Sequence, residues 1–152
     1  MMASFRVTAT NHTSFTVSNL DHSISYFCSV LNFKLLNRST RDPNFIERVV
    51  AIPGAIIEVA YLQAPGHRLE LIEYTGPADR NRVESRPCDS GFAHIAFDVD
   101  DIDAAIAESK PFGVIPLGPP QDLNRGPNKG GRVVYTRDKD GITVEFIQPP
   151  IN

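Results

Sequence analysis

Apolar and polar residues recur along the chain in two blocks that predict the same order of elements. In the first block, period-two alternation predicts strands at residues 12–17, 33–36, 56–62 and 68–74. Helical spacing predicts a helix at residues 20–31. A short additional helix is predicted over 45–52, ended by a Pro-Gly turn. The second block predicts a strand at 91–99, a helix at 101–109, and strands at 112–116, 131–136 and 142–148. Each block is therefore predicted to be a βαβββ module, and the fold class to be α+β.

The two blocks also share a sequence motif. His, Phe, Val, a branched aliphatic residue and Asp occur at the same offsets in the segments that begin at His12 and at His94. Each copy is followed later by a strand with a glutamate among aliphatic residues, Glu70 in the first block and Glu145 in the second. A two-copy repeat indicates a duplicated module, because a solenoid needs at least three copies. We expect one domain over residues 1–152, with module one at about 8–76, a linker at 77–90 and module two at about 91–149.

Strand alternation predicts where the repeated residues point. Side chains along a strand alternate between the two faces of its sheet. In the second block Phe97 and Val99 suit packing beneath the helix, which places His94 on the opposite face. The same reasoning turns Glu70 and Glu145 away from the helices, because their aliphatic neighbours face them. All four histidine and glutamate side chains, including His12, are therefore predicted on the faces that do not carry the helices.

Four fragments in this order resemble a known superfamily. They are Asn11-His12, the segment His67–Glu73, the segment Ala93–Ile102 and the segment Asp138–Glu145. Together they resemble the vicinal oxygen chelate superfamily over nearly the whole chain. That superfamily includes glyoxalase I, methylmalonyl-CoA epimerase, extradiol dioxygenases, and the fosfomycin and bleomycin resistance proteins. The resemblance implies paired modules that form a curved, mostly antiparallel sheet around a metal-containing cavity. It also implies one divalent metal per site, with ligands at His12, Glu70, His94 and Glu145.

The chemistry of this ligand set agrees with the resemblance. Two neutral imidazoles and two carboxylates balance the charge of a divalent cation, and mixed nitrogen and oxygen donors suit Zn²⁺, Ni²⁺, Co²⁺, Fe²⁺ or Mn²⁺ better than Ca²⁺. One or two coordination positions would stay open for a substrate carbonyl, where the metal acts as a Lewis acid. A single histidine more often has a packing or hydrogen-bonding role, so the repetition with a matched glutamate is what favours ligation.

Further residues bear on catalysis and on substrate binding. In a glyoxalase I-like reaction, Glu145 would both bind the metal and transfer the proton. Glu58 resembles in position a carboxylate proposed as the base in some epimerases, and it is predicted to share the ligand-bearing face; a solvated edge carboxylate is the alternative. The glycine- and proline-rich segment 117–132 carries Arg125, Lys129 and Arg132, which could meet an anionic substrate end such as glutathione or CoA, or could simply be solvated.

The leading hypothesis is a metal-dependent lyase or isomerase of glyoxalase I type, which stabilises an enediolate formed from a small carbonyl substrate. A methylmalonyl-CoA epimerase-like racemase is the first alternative, although such enzymes commonly show two histidines where this chain has Ala93-His94. An extradiol-type dioxygenase would have three ligands, and Glu70 would occupy a position it needs. A metal-free antibiotic-binding resistance protein would not need the intact ligand set.

Composition excludes other classes of protein. The 152 residues carry a net charge of −3, which gives no basic surface for nucleic acid. Apolar runs are too short to span a bilayer, and the N-terminal residues lack the apolar region of a signal peptide. Two cysteines form no disulfide framework, so a cytoplasmic protein is expected. Members of the superfamily often build each site between modules of two chains, so the resemblance implies a homodimer.

Overall fold

A computed structural model describes residues 4–150 of the chain. The chain divides at Asp79/Arg80 into two compact units, unit 1 and unit 2. Unit 1 contains β1 (Thr13–Val17), α1 (Leu20–Ser29), β2 (Lys34–Thr40), α2 (Pro43–Val50), β3 (Ile56–Ala64) and β4 (His67–Gly76). Unit 2 contains β5 (Ile95–Asp98), α3 (Ile102–Ser109), β6 (Ile115–Pro116), β7 (Gln121–Asp122), β8 (Arg132–Arg137) and β9 (Thr143–Gln148), with a 3₁₀ turn at Lys110–Phe112.

The sheet of unit 1 is mixed and has the strand order β1-β4-β3-β2. β1 is parallel to β4, while β3 is antiparallel to both of its neighbours. Helix α1 contacts β3 and β4, and its buried Leu20 and Phe27 belong to the same core as the fully buried Leu62, Leu69 and Leu71. Burying such aliphatic side chains stabilises a fold by roughly 1.5–3 kcal/mol each. We call this side of the sheet the α1 face.

The opposite face of the same sheet is partly covered by α2. Ile46 of α2 forms a second core cluster with Ala55, Ile57 and Val59. Tyr61, Ile72 and Tyr74 pack against this cluster but are only partly buried. The face of this sheet that carries Tyr61, Ile72 and Tyr74 therefore extends beyond α2, where it is accessible to solvent.

Unit 2 repeats the arrangement around a second mixed sheet, in the order β5-β9-β8-β6, with β7 also paired to β8. β5 is parallel to β9, and β8 is antiparallel to β9. Helix α3 contacts β8 and β9, and its buried Ile102 and Ile106 accompany the buried Val134, Val144 and Phe146. This side of the second sheet is the α3 face.

The two units also begin their helices in the same way. Each helix starts after a side-chain cap, Asn19 before α1 and Asp101 before α3. A side chain from the last strand of the unit then accepts a hydrogen bond from the first helical N–H. In unit 1, Glu73 Oε2 lies 2.6 Å from Leu20 N, and in unit 2, Gln148 Oε1 lies 3.0 Å from Ile102 N. Both acceptors lie three residues after the repeated glutamate, so the duplication includes the helix caps.

The predicted α+β fold class is confirmed, and several element bounds differ from the prediction. β2 continues to Thr40, because it pairs with β3 over nearly its whole length. The predicted strand at 91–99 is reduced to Ile95–Asp98, so His94, like His12, lies immediately before its strand. The segment 117–132 is not wholly irregular, since Gln121 and Asp122 pair with β8.

Candidate functional site

In unit 1 the structure brings His12 and Glu70 together. His12 Nε2 lies 3.3 Å from Glu70 Oε2. The other ring nitrogen, Nδ1, is 2.7 Å from Asn11 Oδ1 and donates a hydrogen bond to this amide oxygen in the tautomer that is protonated at Nδ1. In that tautomer Nε2 is unprotonated and faces Glu70. Such a hydrogen bond to the distal nitrogen is how metal-binding histidines are usually oriented.

Unit 2 contains the equivalent pair. His94 Nε2 lies 2.9 Å from Glu145 Oε2. Glu145 stands opposite Ala96 in the parallel β5–β9 ladder, so it shares a face with His94, two residues before Ala96. In both pairs the histidine side chain is about one-third exposed (30% and 33%), while the glutamate is mostly buried (12% and 16%). Both pairs can therefore be reached from solvent.

These separations suit two ligands of one metal ion. Donor atoms bound at about 2.0–2.2 Å are separated by about 2.8–3.6 Å when the angle at the metal is between a right angle and tetrahedral. The two His–Glu distances, 3.3 and 2.9 Å, lie within this range. Among residues 4–150 no group of three or more His, Cys, Asp or Glu side chains that could hold a metal ion is present. The structure thus brings the four predicted ligands together as two pairs.

A tyrosine accompanies each pair, and the sequence interpretation missed both. Tyr61 of β3 stands directly opposite Glu70, and Tyr135 of β8 stands directly opposite Glu145. The Tyr61 ring meets the His12 ring edge-on with centroids 5.7 Å apart. The Tyr135 ring lies 4.8 Å from that of His94, with its hydroxyl 3.3 Å from His94 Nε2. The repeated unit is therefore a His–Glu–Tyr cluster. Its sequence signal is a tyrosine nine or ten residues before each glutamate.

Both tyrosines titrate above their usual range. The pKa of Tyr61 is raised, first by its hydrogen bond to Glu70 and then by burial. The pKa of Tyr135 is raised by burial and by the negative charge of Glu145. Each hydroxyl therefore stays protonated and can donate a hydrogen bond beside its carboxylate.

The prediction that Glu58 shares the face of Glu70 is wrong. In the β3–β4 ladder Glu58 stands opposite Glu73, whereas Tyr61 stands opposite Glu70, so Glu58 lies on the α1 face. There its carboxylate accepts two hydrogen bonds from Arg38, at 2.8 and 3.0 Å, and Arg38 also binds Asp21 of α1. The hydrogen bond from Arg38 lowers the pKa of Glu58. These contacts give Glu58 a structural ion pair and remove the premise for a role as base.

The structure places Arg132, one of the candidate substrate-binding residues, away from the His94–Glu145 pair. Arg132 stands opposite Gln148 on the α3 face, away from Glu145, and its guanidinium binds Asp103 of α3 at 2.6 and 3.2 Å. The hydrogen bond from Arg132 lowers the pKa of Asp103. Arg125 and Lys129 are exposed, and their contact with substrate stays a prediction.

A shallow polar cleft lies beside the His12 pair. Its volume is ≈ 340 Å³, and its lining residues include Asn11, Gln63, His67 and Arg68. His67 Nε2 is 2.9 Å from Thr13 Oγ1, so this histidine belongs to the wall of the cleft and not to the His12–Glu70 pair. Because Asn11 both lines the cleft and orients His12, a molecule in the cleft would lie next to the pair.

Comparison with known proteins assigns the family. Residues 9–146 match the sequence profile described as the Glyoxalase/Bleomycin resistance protein/Dioxygenase superfamily. The chain belongs to this superfamily. The match spans both His–Glu–Tyr clusters. It confirms the resemblance that the four sequence fragments indicated.

The individual relatives have names that indicate more than one enzymatic activity. The chain is 33% identical over 148 residues to a 2-epi-5-epi-valiolone epimerase from Actinomyces sp., covering 93% of this chain and 80% of the relative. It is 30% identical over 141 residues to a lactoylglutathione lyase from Haemophilus influenzae, covering 90% of each. A glyoxalase family protein from Bacillus cereus superposes with a TM-score of 0.82 at 23% identity, covering 99% of this chain and 100% of the other, which shows the shared fold.

Within residues 4–150, none of the helices combines the length and the apolar character that crossing a membrane requires.

Proposed function

We propose that the protein is a divalent-metal-dependent enzyme that transfers a proton at the carbon next to a substrate carbonyl, with a glyoxalase I-like lyase reaction as the specific version. The observation that carries the proposal is the duplicated His–Glu–Tyr cluster, with donor separations of 3.3 and 2.9 Å. His12, Glu70, His94 and Glu145 would hold the metal. Their nitrogen and oxygen donors fit Zn²⁺, Ni²⁺, Co²⁺, Fe²⁺ or Mn²⁺. When bound, the metal would supply Lewis acidity at the substrate carbonyl oxygen, which makes the neighbouring proton easier to remove.

The chain's own residues transfer the proton and hold the candidate ligands in position. Glu145 accepts the proton and returns it; its carboxylate is mostly buried and lies 2.9 Å from His94 Nε2. Tyr135 positions His94 by packing its ring against the imidazole, and its protonated hydroxyl lies 3.3 Å from His94 Nε2. Asn11 holds His12 in the tautomer that leaves Nε2 unprotonated. Glu70 differs from Glu145 in that Tyr61 donates a hydrogen bond to it.

Epimerisation is the second candidate, because the relative with 33% identity is a 2-epi-5-epi-valiolone epimerase. Lyase and epimerase share the first step, removal of a proton next to a carbonyl. They differ in where the proton returns: to the neighbouring carbon in the lyase reaction, and to the same carbon in the epimerase reaction. Deuterium incorporation from heavy water, followed by NMR, separates these outcomes with methylglyoxal plus glutathione and with 2-epi-5-epi-valiolone as substrates.

Assembly and location belong to the same proposal. We propose a homodimer, as the superfamily resemblance implies, in a reducing cytoplasm. Sedimentation velocity on the purified protein tests the dimer directly, and a monomer with full metal content would contradict the need for two chains.

Elemental analysis of the purified protein is the direct test of the metal. Wild type is expected to bind one equivalent per chain, and His12→Ala and His94→Ala are each expected to lose most of it. His22→Ala, on helix α1, is the matched control and should keep its metal. Full metal content in both His12→Ala and His94→Ala would overturn the ligand assignment.

A pair of conservative variants tests the division of roles between the two glutamates. Glu145→Gln should retain part of the metal and lose proton exchange. Glu70→Gln should lose a similar share of metal and keep measurable exchange for each metal ion that remains bound. Equal residual exchange per bound metal in the two variants would contradict the assignment of the proton transfer to Glu145.

A further inference from the structure

Arg137 lies on the same face of the second sheet as the His94–Glu145–Tyr135 cluster. In the β8–β9 ladder, Tyr135 stands opposite Glu145 and Arg137 stands opposite Thr143, so these four residues share one face. Thr136, between Tyr135 and Arg137, is fully buried on the α3 face. Arg137 falls just past the predicted end of its strand, and sequence reasoning did not select it. It is nevertheless the cation that the fold places beside the candidate metal ligands of unit 2.

Two contacts hold the guanidinium group of Arg137 in place. Its Nε donates a hydrogen bond to Thr143 Oγ1 at 3.0 Å, and Thr143 is itself almost completely buried. Its Cζ lies 5.6 Å from the centre of the Phe92 ring, a cation–π distance. The Phe92 ring in turn stacks on the imidazole of His94, with centroids 6.0 Å apart and an interplanar angle of 26°. The guanidinium group of Arg137 is therefore held in place, and the Phe92 ring contacts both this group and the candidate ligand His94.

One donor of this group has no acceptor. Nη2 of Arg137 is buried and has no hydrogen-bond partner among the residues that the structure describes. A buried polar group without a partner destabilises the fold, and more so when it is charged. Arg41, on the equivalent face of unit 1, differs in this respect, because its Nη1 bonds to Ser39 Oγ and to the Thr40 carbonyl and its side chain also bonds to Tyr61. The protein thus orients Arg137 but leaves one of its hydrogen-bond donors without an acceptor.

We propose that Arg137 binds an oxyanion of the substrate, a carboxylate or a phosphate, beside the carbonyl group that reacts. A planar guanidinium matches the two oxygens of such a group, and charge-assisted hydrogen bonds are roughly twice as strong as neutral ones. This inference rests on the proposed function in one respect, that the face carrying Glu145 receives the substrate. It restricts the substrate class to acidic carbonyl compounds, such as a glutathione conjugate or a phosphorylated ketone. An uncharged cyclic ketone would leave the buried Nη2 without an acceptor.

Anion binding by metal-free protein tests the proposal separately from the metal chemistry. The protein is treated with chelator and titrated with inorganic phosphate and, in a second arm, with acetate, while the Nε–H signal of Arg137 is followed by NMR. We expect one of the two anions to shift this signal, and Arg137→Gln to weaken its binding at least tenfold. Lys139→Gln removes the same charge from an exposed position two residues away and should change binding less than twofold.

Each outcome decides the proposal. A response to phosphate alone identifies a phosphorylated substrate, and a response to acetate alone identifies a carboxylate. No shift of the Arg137 signal with either anion overturns the proposal, and so does equal binding by Arg137→Gln and wild type. If Arg137→Gln does not fold, the Arg137 signal of the wild type still decides, with Arg137→Lys as the second variant. Failure of metal binding in the separate elemental analysis leaves this result unaffected, because the titration uses metal-free protein.

Discussion

Two glutamates on β4, three residues apart, should respond to substitution in opposite ways. Glu70 faces the His12 cluster, while Glu73 lies on the α1 face and its Oε2 accepts a hydrogen bond from Leu20 N at 2.6 Å. Leu20 is the first residue of α1 and is fully buried. We therefore expect Glu73→Ala to destabilise unit 1 without changing metal content, and Glu70→Gln to lower metal content with little effect on the stability of the metal-free protein.

The size of the Glu73 effect follows from the geometry. A short hydrogen bond to a charged group contributes about 1.5–3 kcal/mol, and negative charge at a helix N-terminus contributes about 0.3–1 kcal/mol, part of which is the same interaction. We expect a loss of about 2 kcal/mol, or about 4–8 °C in Tm for a chain of this size. In unit 2 the equivalent acceptor, Gln148, is neutral and its bond to Ile102 N is longer, at 3.0 Å. Gln148→Ala should therefore cost less, about 0.5–1.5 kcal/mol.

Urea unfolding of the metal-free proteins, followed by circular dichroism, measures these differences. Glu84→Ala is the matched control, because the Glu84 side chain is 79% exposed and its nearest cation, Arg82, is 3.9 Å away. The control should stay within about 0.5 kcal/mol of wild type, as surface substitutions usually do. The reasoning is refuted if Glu73→Ala also stays within that limit, or if it loses metal as Glu70→Gln does.

Three further outcomes are expected. Tyr135→Ala removes the ring that packs against His94 and should weaken metal binding by about 10-fold, measured by competition with a chelating dye. Burial raises the pKa of Asp138, so its ionised form opposes folding at neutral pH. Asp138→Asn should therefore raise Tm at pH 7. This gain should vanish as the pH falls below the pKa of Asp in the unfolded chain, about 3.9. Arg38 lowers the pKa of Glu58, so the ion pair stabilises the fold at pH values above the pKa that Glu58 has in the unfolded chain. This contribution is lost as the pH falls through the pKa that Glu58 has in the folded protein. Glu58→Gln should be less stable than wild type at pH 7 and equally stable in acid.

The side of the sheet on which each candidate ligand lies could be predicted from the sequence, because side-chain direction within one strand is a local property. Leu69 and Leu71 are fully buried on the α1 face, so Glu70 between them points the other way. Phe146 and Val144 determine the direction of Glu145 in the same manner. The repeat of His and Glu needed no tertiary information either, since both copies are visible in the printed sequence.

The neighbours across the sheet depended on register, which a single strand does not determine. The predicted strands 56–62 and 68–74 leave a five-residue connection, whose direct pairing would place Glu58 on the face of Glu70. In the structure the strands continue to Ala64 and His67, leaving a two-residue turn, so Tyr61 stands opposite Glu70 instead. A one-residue change in register moves every side chain of a strand to the other face. For the same reason Tyr135 and Arg137 could not be identified as neighbours of Glu145. Local alternation thus determined the sheet face of the candidate ligands, and the pairing of strands determined their tyrosine and arginine neighbours.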